Sequence, residues 1–215
     1  MDDLAERLAR LSASAVHDVL RSLGHDHCVL PPDIRPIDPR ARLAGKVVTV
    51  SGREHDGLDA DRTLLAWATL LSEIPPGCIV VCQPNTRAIA LMGELSARAL
   101  VIKRVRGYVV DGGCRDVDLV EESGLTVFCS HFTPSDIAAR WLPDPVGGPI
   151  AIGSCAIATG DYLVADRDGV VILPAALAAA AVAQAETVMS TESTMRQAIL
   201  AGMDPRAAYL KFRKF

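Results

Sequence analysis

The segment 93–116 constrains the fold of this chain more than any other part of the sequence. Its apolar spacing predicts a helix, and the run Tyr108-Val109-Val110 that follows is typical of a buried strand. A glycine-rich turn comes next, and Arg115 and Asp116 are predicted to begin another helix. In open α/β sheets, ligands bind at the carboxyl ends of the strands. The sequence therefore places a charged Arg-Asp pair where chemistry usually takes place.

Outside this segment, strands, glycine turns and helices alternate along the chain. Short apolar runs predict strands at 43–50, 78–82, 126–129, 150–152 and 155–157, and a hairpin of 162–165 with 170–173. Helical spacing and cap residues predict helices at 2–11, 60–73, 117–124, 133–141 and 174–200, one from Ser12 or Ser14 to Gly24, and a last short helix that holds Tyr209. Residues 31–42 and 52–59 are predicted to be irregular or loop.

Three of these helices carry expectations about individual positions. In the first helix of 93–116, the residues sharing one apolar face are Leu95, Ala99, Ile102 and Val105, and Gly107 is expected to end the helix. In 60–73, the inward side chains are expected to be Leu64, Leu65, Ala68 and Leu71. In 133–141, Thr133 is the expected cap, and Pro134 is the first helical residue.

Composition bounds the fold class to a globular α/β domain. The 215 residues suggest a single domain over 1–215, and half of them are hydrophobic, which argues against disorder. Because only 4% are aromatic, the core must be built from Val, Ile, Leu and Ala, as in a sheet flanked by helices. The late strands are too many and too short for a pure doubly wound sheet.

Charge and hydropathy argue against nucleic acid and membrane as partners. The net charge is −4, and the basic clusters Lys103/Arg104/Arg106 and Lys211/Arg213/Lys214 are short enough to be solvated helix ends. The longest apolar run, 175–183, is shorter than the ~20 residues that a membrane helix needs. The chain begins with an acidic amphipathic stretch rather than a signal peptide, and its six cysteines form no C-x-x-C pair. A reduced, cytoplasmic protein is therefore expected.

Two motifs resemble metal-binding sites, but each lacks part of the ligand pattern that such a site needs. His25-Asp26-His27-Cys28 offers zinc-type ligands, but no second ligand pair stands elsewhere in the sequence. Asp166-Arg167-Asp168-Gly169 lacks the third acidic position and the final glutamate of a calcium loop. The second motif is interpreted as the turn of a hairpin.

The string Gly93-Glu94-Leu95, followed by VVDGGCRD at 109–116, resembles the RraA-like family. The segment GDYLVADRDGVVILP at 160–174 strengthens the resemblance, which covers about residues 12–210. The family includes class II pyruvate aldolases that act on 4-hydroxy-4-methyl-2-oxoglutarate, and regulators of ribonuclease E. The resemblance implies an α/β fold of layered α/β/β/α type with helical N- and C-terminal extensions, assembled as a homotrimer or hexamer.

Arg115 and Asp116 offer two complementary binding groups. The planar guanidinium of Arg115 matches a carboxylate bidentately, and Asp116 is a hard oxygen ligand suited to Mg²⁺ or Mn²⁺. Mg²⁺ commonly keeps several waters, one of which Glu94 could hold. The backbone N–H groups of Leu95 and Ser96, at a predicted helix start, form a natural anion site.

The resemblance implies a divalent-metal-dependent lyase that cleaves a C–C bond of a small 2-oxo acid. The expected catalytic residues are Arg115, Asp116 and Glu94, the metal ligand is Asp116, and the substrate-binding residues are Gly93, Glu94, Leu95, Ser96 and Arg115. The metal would act as a Lewis acid that stabilises a pyruvate enolate. The implied activities are 4-hydroxy-4-methyl-2-oxoglutarate or 4-carboxy-4-hydroxy-2-oxoadipate aldolase, oxaloacetate decarboxylase, or both.

One position departs from the aldolases of the family. They usually carry an acid three residues after the aspartate of the Arg-Asp pair, where this chain has Leu119; its nearby acids are Asp118 and Glu121. Asp118 is expected to point to a different helix face. Oxaloacetate decarboxylation needs less machinery, because CO₂ leaves and no hydroxyl must lose a proton, and that activity is expected to survive better.

Other interpretations stay open at this point. Arg115 and Asp116 could be a surface pair, with the acid meeting the helix dipole. Gln83 and His131 stand at strand ends and could approach a substrate. The whole chain could be a non-catalytic trimeric regulator that binds a ribonuclease. A methyltransferase has little support, because no G-x-G-x-x-G loop follows a strand.

Overall fold

A computed structural model describes residues 2–213 of the chain. The described helices are α1 (Asp3–Leu8), α2 (Ala13–Ser22), α3 (Ala60–Glu73), α4 (Glu94–Ile102), α5 (Val117–Ser123), α6 (Ala175–Leu200) and α7 (Pro205–Phe212). The described strands are β1 (Arg35–Pro36), β2 (Leu43–Glu54), β3 (Ile79–Gln83), β4 (Ala90–Met92), β5 (Gly107–Val110), β6 (Gly113–Cys114), β7 (Thr126–Cys129), β8 (His131–Phe132), β9 (Trp141–Pro143), β10 (Ile150–Ile152), β11 (Cys155–Ile157), β12 (Tyr162–Asp166) and β13 (Gly169–Leu173).

The main sheet combines a parallel centre with antiparallel flanks. Its strand order is β1-β7-β5-β3-β2-β12-β13, and β9 pairs with the far end of β2. β2, β3, β5 and β7 run parallel to one another, whereas β12, β13 and β1 are antiparallel to their neighbours. Helices connect the parallel strands, as parallel pairing requires.

The segment 28–37 nearly closes this sheet into a barrel. At one end it pairs with β13: Leu30 N donates to Val170 O, and Ile172 N donates to Cys28 O, at 3.0 and 2.8 Å. At the other end, β1 pairs with β7, and Ile37 N donates to Val127 O at 3.0 Å. One irregular segment therefore covers both edges of the sheet, and the exposed strand edges that invite association are hidden.

Strict alternation along the strands buries both faces of the sheet. Residues pointing into the barrel form one apolar cluster, which includes Val47, Ile79, Val109, Phe128, Leu163 and Ile172. The β10–β11 hairpin adds Ile150, Ile152, Cys155 and Ile157 to this cluster. The alternate residues, such as Val80 and Tyr108, point outward into the helices. Successive side chains point to opposite faces of the sheet, and both faces are buried. These strands therefore appear in the sequence as continuous apolar runs.

Helices cover the barrel in two groups. α1, α2 and α6 pack with β12 and β13 around an apolar cluster that includes Leu8, Val16, Val164 and Val182. α3, α4 and α5 pack on the parallel strands around Trp67, Leu100, Val120 and their neighbours. This arrangement confirms the predicted layered α/β fold. Within the described residues, no helix combines the length and hydropathy that crossing a membrane requires.

A second, three-stranded sheet lies beyond the carboxyl ends of the parallel strands of the main sheet. Each of the parallel strands β3, β5 and β7 is followed by one short strand, and these pair in the order β4-β6-β8. Ala90 pairs with Gly113, and Gly113 with His131, all in parallel. Three segments of the chain therefore leave this small sheet side by side in the same direction.

Most predicted elements are confirmed, including the Ser12 cap of α2, the hairpin of β12 and β13, and the long helix after Pro174. The predicted inward faces of two helices are wrong. In α4, Leu95 and Ile102 are exposed and Ala97 and Leu100 are buried. In α3, Leu64, Leu65 and Ala68 are exposed, whereas Leu71 is buried as predicted, together with Thr63, Trp67 and Leu70. Because Ala97 and Thr63 belong to the buried faces, hydrophobicity alone misplaces them.

Three predicted boundaries are also wrong. α4 ends at Ile102, where Lys103 is the C-cap and Arg104 adopts a left-handed φ of 60°, whereas Gly107 begins β5. β2 continues to Glu54, because β9 supplies its pairing partner. The predicted helix over 133–141 is absent: residues 133–137 are irregular, 138–140 form a turn, and Trp141 begins β9. Lys214, part of the predicted basic end, lies outside the described residues.

Replacing Gly52 with alanine is expected to destabilise the fold. A Cβ there would lie 2.1 Å from Cζ2 of Trp141 and 2.4 Å from the backbone oxygen of Leu142, and Trp141 is fully buried. We expect the free energy of unfolding in urea to fall by about 1–3 kcal/mol, the usual cost of overpacking. Gly148→Ala is the control, since its Cβ would lie 3.8 Å from the nearest atom, Pro145 O. Equal losses in both variants would contradict this account.

Candidate active site

The three segments that leave the small sheet converge on one cavity of about 200 Å³. Residues after β4 contribute Gly93, Glu94, Leu95 and Ser96; residues after β6 contribute Arg115 and Asp116; residues after β8 contribute Asp136 and Ile137. The remaining lining residues are Leu64, Trp67, Ala90, Leu91 and Met92. The six residues that the sequence analysis named as catalytic, metal-binding or substrate-binding therefore line one cavity.

Backbone pairing fixes the position of Arg115. Arg115 N donates to Met92 O at 2.9 Å, and Thr133 N donates to Cys114 O at 3.0 Å, so the small sheet holds the turn from both sides. The guanidinium lies between two carboxylates: Nε donates to Asp116 Oδ2 at 3.2 Å, and Nη1 donates to Asp136 Oδ2 at 3.1 Å. The guanidinium is thus oriented before any ligand binds.

Asp116 has an unusual backbone and a partly free carboxylate. It adopts the left-handed conformation, with φ 53° and ψ 40°, immediately before α5. Its Oδ2 accepts hydrogen bonds from Arg115 Nε and, at 3.4 Å, from Glu94 N. The described residues give Oδ1 no hydrogen bond. Sparsely populated backbone conformations in non-glycine residues concentrate at functional sites, and this one lies in the cavity.

Gly93 allows the β4 and β6 segments to come together. A Cβ at this position would lie 2.9 Å from Asp116 Oδ2 and 3.0 Å from Arg115 Cγ. Gly93 has an extended backbone that any residue can adopt. Glycine is needed here because there is no space for a side chain, and not because of the φ angle. Any larger residue would push the Arg115–Asp116 pair away from the start of α4.

The start of α4 presents uncapped backbone donors to the cavity. Gly93 is the N-cap and makes no side-chain cap hydrogen bond, so the first-turn N–H groups of Leu95 and Ser96 have no partner within the helix. Aligned peptide dipoles add partial positive charge at this end. Glu94 lies in the same turn, and its Oε1 accepts from Arg98 Nε at 2.7 Å.

Asp136 is the cavity residue that the sequence did not reveal. It was placed inside a predicted helix, whereas it lies in a turn in which its Oδ1 accepts from Ala138 N at 3.2 Å and from Arg140 Nη2 at 3.3 Å. Burial by itself would raise the pKa of Asp136, but these donors and Arg115 outweigh it and lower the pKa below its usual value. No local signal could have identified it, because every residue except proline has an amide that an aspartate two positions earlier could accept from.

One wall of the cavity is apolar and rigid. Trp67 is 8% exposed, and its Nε1 donates to Ser96 Oγ at 2.9 Å. Its ring packs edge-on against Trp141 at a centroid distance of 5.9 Å. Trp141 is fully buried and donates to Pro84 O at 2.9 Å. The indole of Trp67 therefore has a fixed place beside the start of α4.

Several other nominated residues lie elsewhere. Leu119 and Asp118 are exposed on α5 and do not line the cavity. Gln83 exchanges hydrogen bonds with the backbone of Ala151 at the β10 hairpin. His131 Nδ1 lies 2.9 Å from Ser130 Oγ, outside the cavity lining. The position of Leu119 is thus no part of this cavity, whose additional acid is Asp136.

The oxygen donors present suit a hard cation held by few protein ligands. Within the described residues, no group of three or more His, Cys, Asp or Glu side chains is arranged to hold a metal. Asp116 Oδ1 is the available carboxylate oxygen beside the uncapped helix start. Mg²⁺ is commonly bound through one or two carboxylates, with water and ligand oxygens completing its shell. The residues fit that kind of site.

Comparison with known proteins identifies the family to which the fold belongs. The family model RraA-like, described as Aldolase/RraA, matches residues 13–172. DlpA of Legionella pneumophila is 23% identical over 205 residues; the match covers 94% of this chain, which spans 32% of that protein's length. A Halalkalibacterium halodurans protein, provisionally named a 4-hydroxy-4-methyl-2-oxoglutarate aldolase, is 26% identical over 175 residues, or 80% of this chain and 77% of that protein.

A solved structure gives the same picture of the fold. The crystal structure of Streptomyces coelicolor RraAS2, described as an unusual member of the RNase ES inhibitor RraA protein family, superposes with a TM-score of 0.82. It is 28% identical, and the match covers 92% of this chain and 98% of that one. Proteins named for catalysis and for ribonuclease inhibition thus share this fold.

Replacing Arg140 with glutamine is expected to raise the pKa of Asp136. The ionised carboxylate contributes stability above its unfolded pKa of about 3.9, and this contribution is lost as the pH falls through the lower folded pKa. The effect on unfolding is small, because the side chain is 42% exposed. The measurement is an NMR titration of the Asp136 carboxyl carbon. Arg98→Gln, which removes the partner of Glu94 instead, should leave that titration unchanged.

Proposed function

The chain belongs to the RraA-like family, and on that premise we propose that it is a divalent-metal-dependent lyase acting on a pyruvate-type 2-oxo acid. The convergence of Arg115, Asp116 and the uncapped start of α4 on one cavity is the observation that carries the proposal. The provisional aldolase name of the Halalkalibacterium relative supports it. The proposed reactions are aldol cleavage of 4-hydroxy-4-methyl-2-oxoglutarate or 4-carboxy-4-hydroxy-2-oxoadipate, and decarboxylation of oxaloacetate.

In this proposal, binding begins at the substrate carboxylate. The Arg115 guanidinium, already oriented by Asp116 and Asp136, retains N–H groups that can donate to a carboxylate. The backbone N–H groups of Leu95 and Ser96 face the same space and favour negative charge. These groups hold the pyruvyl unit in one orientation, so that little order has to be acquired during the reaction.

The same donors act when charge develops during cleavage. As the C–C bond breaks, negative charge spreads over the pyruvyl unit, and preorganised donors stabilise it. Asp116 would hold a divalent cation, and that cation would supply Lewis-acid polarisation of the 2-oxo group. Under this proposal Glu94 would hold a water molecule at the start of α4, and its Oε1 also accepts from Arg98 Nε.

Self-association is part of the proposal. Large apolar side chains are exposed on several elements of the described chain: Ile102 at 81%, Phe132 at 60%, Leu200 at 80% and Leu210 at 52%. These side chains are available to be buried in an interface between subunits. We propose a homotrimer or a hexamer, in line with the expectation from the sequence.

A second candidate function is ribonuclease regulation. The similarity to RraAS2, at 28% identity, favours it. A purified ribonuclease of the E type would be inhibited by the chain under this proposal, and Asp116→Ala would inhibit equally well. Under the lyase proposal, the chain does not inhibit the ribonuclease, and Asp116→Ala removes turnover of the 2-oxo acid.

Asp116→Ala is expected to abolish pyruvate release from oxaloacetate and from 4-hydroxy-4-methyl-2-oxoglutarate. The loss arises because the substitution removes the metal-binding oxygen, so chelator should have the same effect on the unaltered protein. The measurement is pyruvate formation with Mg²⁺, with Mn²⁺ and with chelator. Asp118→Ala is the matched control, because that acid is exposed and outside the cavity. Turnover that survives both chelator and Asp116→Ala would contradict the proposal.

Gly93→Ala is expected to lower turnover without unfolding the protein. Its Cβ would displace the Arg115–Asp116 pair by a few tenths of an ångström or more. Small misplacements of reacting groups can cost up to about 100-fold in rate. Pyruvate formation measures the rate, and a thermal melt checks the fold. Turnover equal to that of the unaltered protein would show that the close approach of these segments is not needed.

A further inference from the structure

We infer that the substrate is a monocarboxylate 4-hydroxy-2-oxo acid whose C4 carries an apolar group. The inference rests on the proposed function and narrows it, since the substrates named above carry at least one further carboxylate. Two properties of the cavity lead to it: the balance of charge around Arg115, and the apolar wall opposite.

The charges in the cavity provide for one carboxylate. Of the described residues that line it, Arg115 is the one basic residue, against three acids, Glu94, Asp116 and Asp136. Arg115 and the α4 amides are occupied once the pyruvyl carboxylate binds. A second substrate carboxylate would lie beside Glu94 and Asp136 without a cation of its own, and like charges at close range repel one another.

The neighbouring arginines are already engaged. Arg98 Nε donates to Glu94 Oε1 at 2.7 Å. Arg140 donates to Ser135 Oγ at 2.8 Å and to Asp136 Oδ1 at 3.3 Å. Neither lines the cavity. Recruiting Arg98 to a substrate would take away the partner of Glu94, and recruiting Arg140 would leave Asp136 with Arg115 as its one cationic partner among the described residues.

The rest of the lining suits an apolar group. Leu64, Trp67, Leu91, Met92 and Ile137 contribute hydrocarbon, and Trp67 is held in place by Ser96. Because Ser96 also belongs to the helix start that binds the carboxylate, the apolar wall begins next to the pyruvyl site. The cavity of about 200 Å³ lies below the ~300–1,000 Å³ of sites for drug-sized ligands, which favours a short substituent.

The reaction on such a substrate is a retro-aldol cleavage. The C4 hydroxyl gives up its proton, its oxygen becomes the carbonyl of an aldehyde, and the C3–C4 bond breaks. The electron pair of that bond enters the pyruvate enolate, which takes up a proton at C3. The products are pyruvate and an apolar aldehyde, and no oxidant or reductant is needed.

Two substrates that differ at C4 alone test the inference. 4-Hydroxy-2-oxohexanoate carries an ethyl group there, and 4-hydroxy-2-oxoglutarate carries a carboxylate of similar size. We expect kcat/KM for the hexanoate to exceed that for the glutarate by at least about tenfold, the lower end of what a hydrophobic pocket discriminates. Pyruvate release with Mg²⁺ is measured for both substrates.

A charge placed on the apolar wall should change this preference. Leu64→Arg adds a cation to the cavity lining at a position that is 47% exposed. The ratio of kcat/KM for the hexanoate to kcat/KM for the glutarate should fall in this variant, or the preference should reverse. Leu65→Arg is the matched control, since Leu65 is 69% exposed on the same helix and does not line the cavity. The ratio in that variant should equal that of the unaltered protein.

The outcomes separate this inference from the proposed function. Turnover that favours the glutarate in the unaltered protein would overturn the inference and leave the lyase function intact. A second copy of the chain that supplies a cation to the cavity would produce that result. A Leu64→Arg ratio equal to that of Leu65→Arg would also overturn it. Absence of turnover with either acid and with oxaloacetate would overturn both.

Discussion

The closure of the main sheet by residues 28–37 is the constraint on which the rest of the structure depends. This segment pairs with β13 at one end and extends β7 at the other, so that the sheet has an inside and an outside. The inside is filled by the side chains of one apolar cluster. The candidate cavity lies on the outer side, beyond the carboxyl ends of β3, β5 and β7. The small sheet forms there, and the cavity lies where its strands end.

Register connects this architecture to the chemistry. Because β4, β6 and β8 are parallel and adjacent, the residues that follow them come together although they are far apart in sequence. Gly93 keeps two of these segments in contact, and the Arg115 guanidinium links Asp116 to Asp136 on the third. The site is thus held by backbone hydrogen bonds of a sheet rather than by a flexible loop, and such sites are the more precisely positioned ones.

The sequence predicted the strands well, for a physical reason. Strands with both faces buried are continuous apolar runs, and 78–82 and 126–129 cannot be mistaken for amphipathic helices of the same length. Helix faces were predicted poorly, because Ala97 and Thr63 face the core where Leu95 and Leu64 were expected to. The Arg-Asp pair was found through its place after a strand, whereas Asp136 was missed because 133–141 has helical spacing without forming a helix. Its turn is imposed by pairing across the small sheet, which no local pattern reveals.

The left-handed backbone of Asp116 limits which residues evolution can place there. Asparagine, aspartate and glycine adopt φ near 53° at low cost, whereas longer and branched side chains do so at a penalty. Of these three, aspartate alone brings a carboxylate. Position 116 must meet a conformational and a chemical requirement together, so glutamate, the usual replacement for an acid, satisfies only one of them. The backbone conformation of one residue therefore restricts the substitutions that this position can accept.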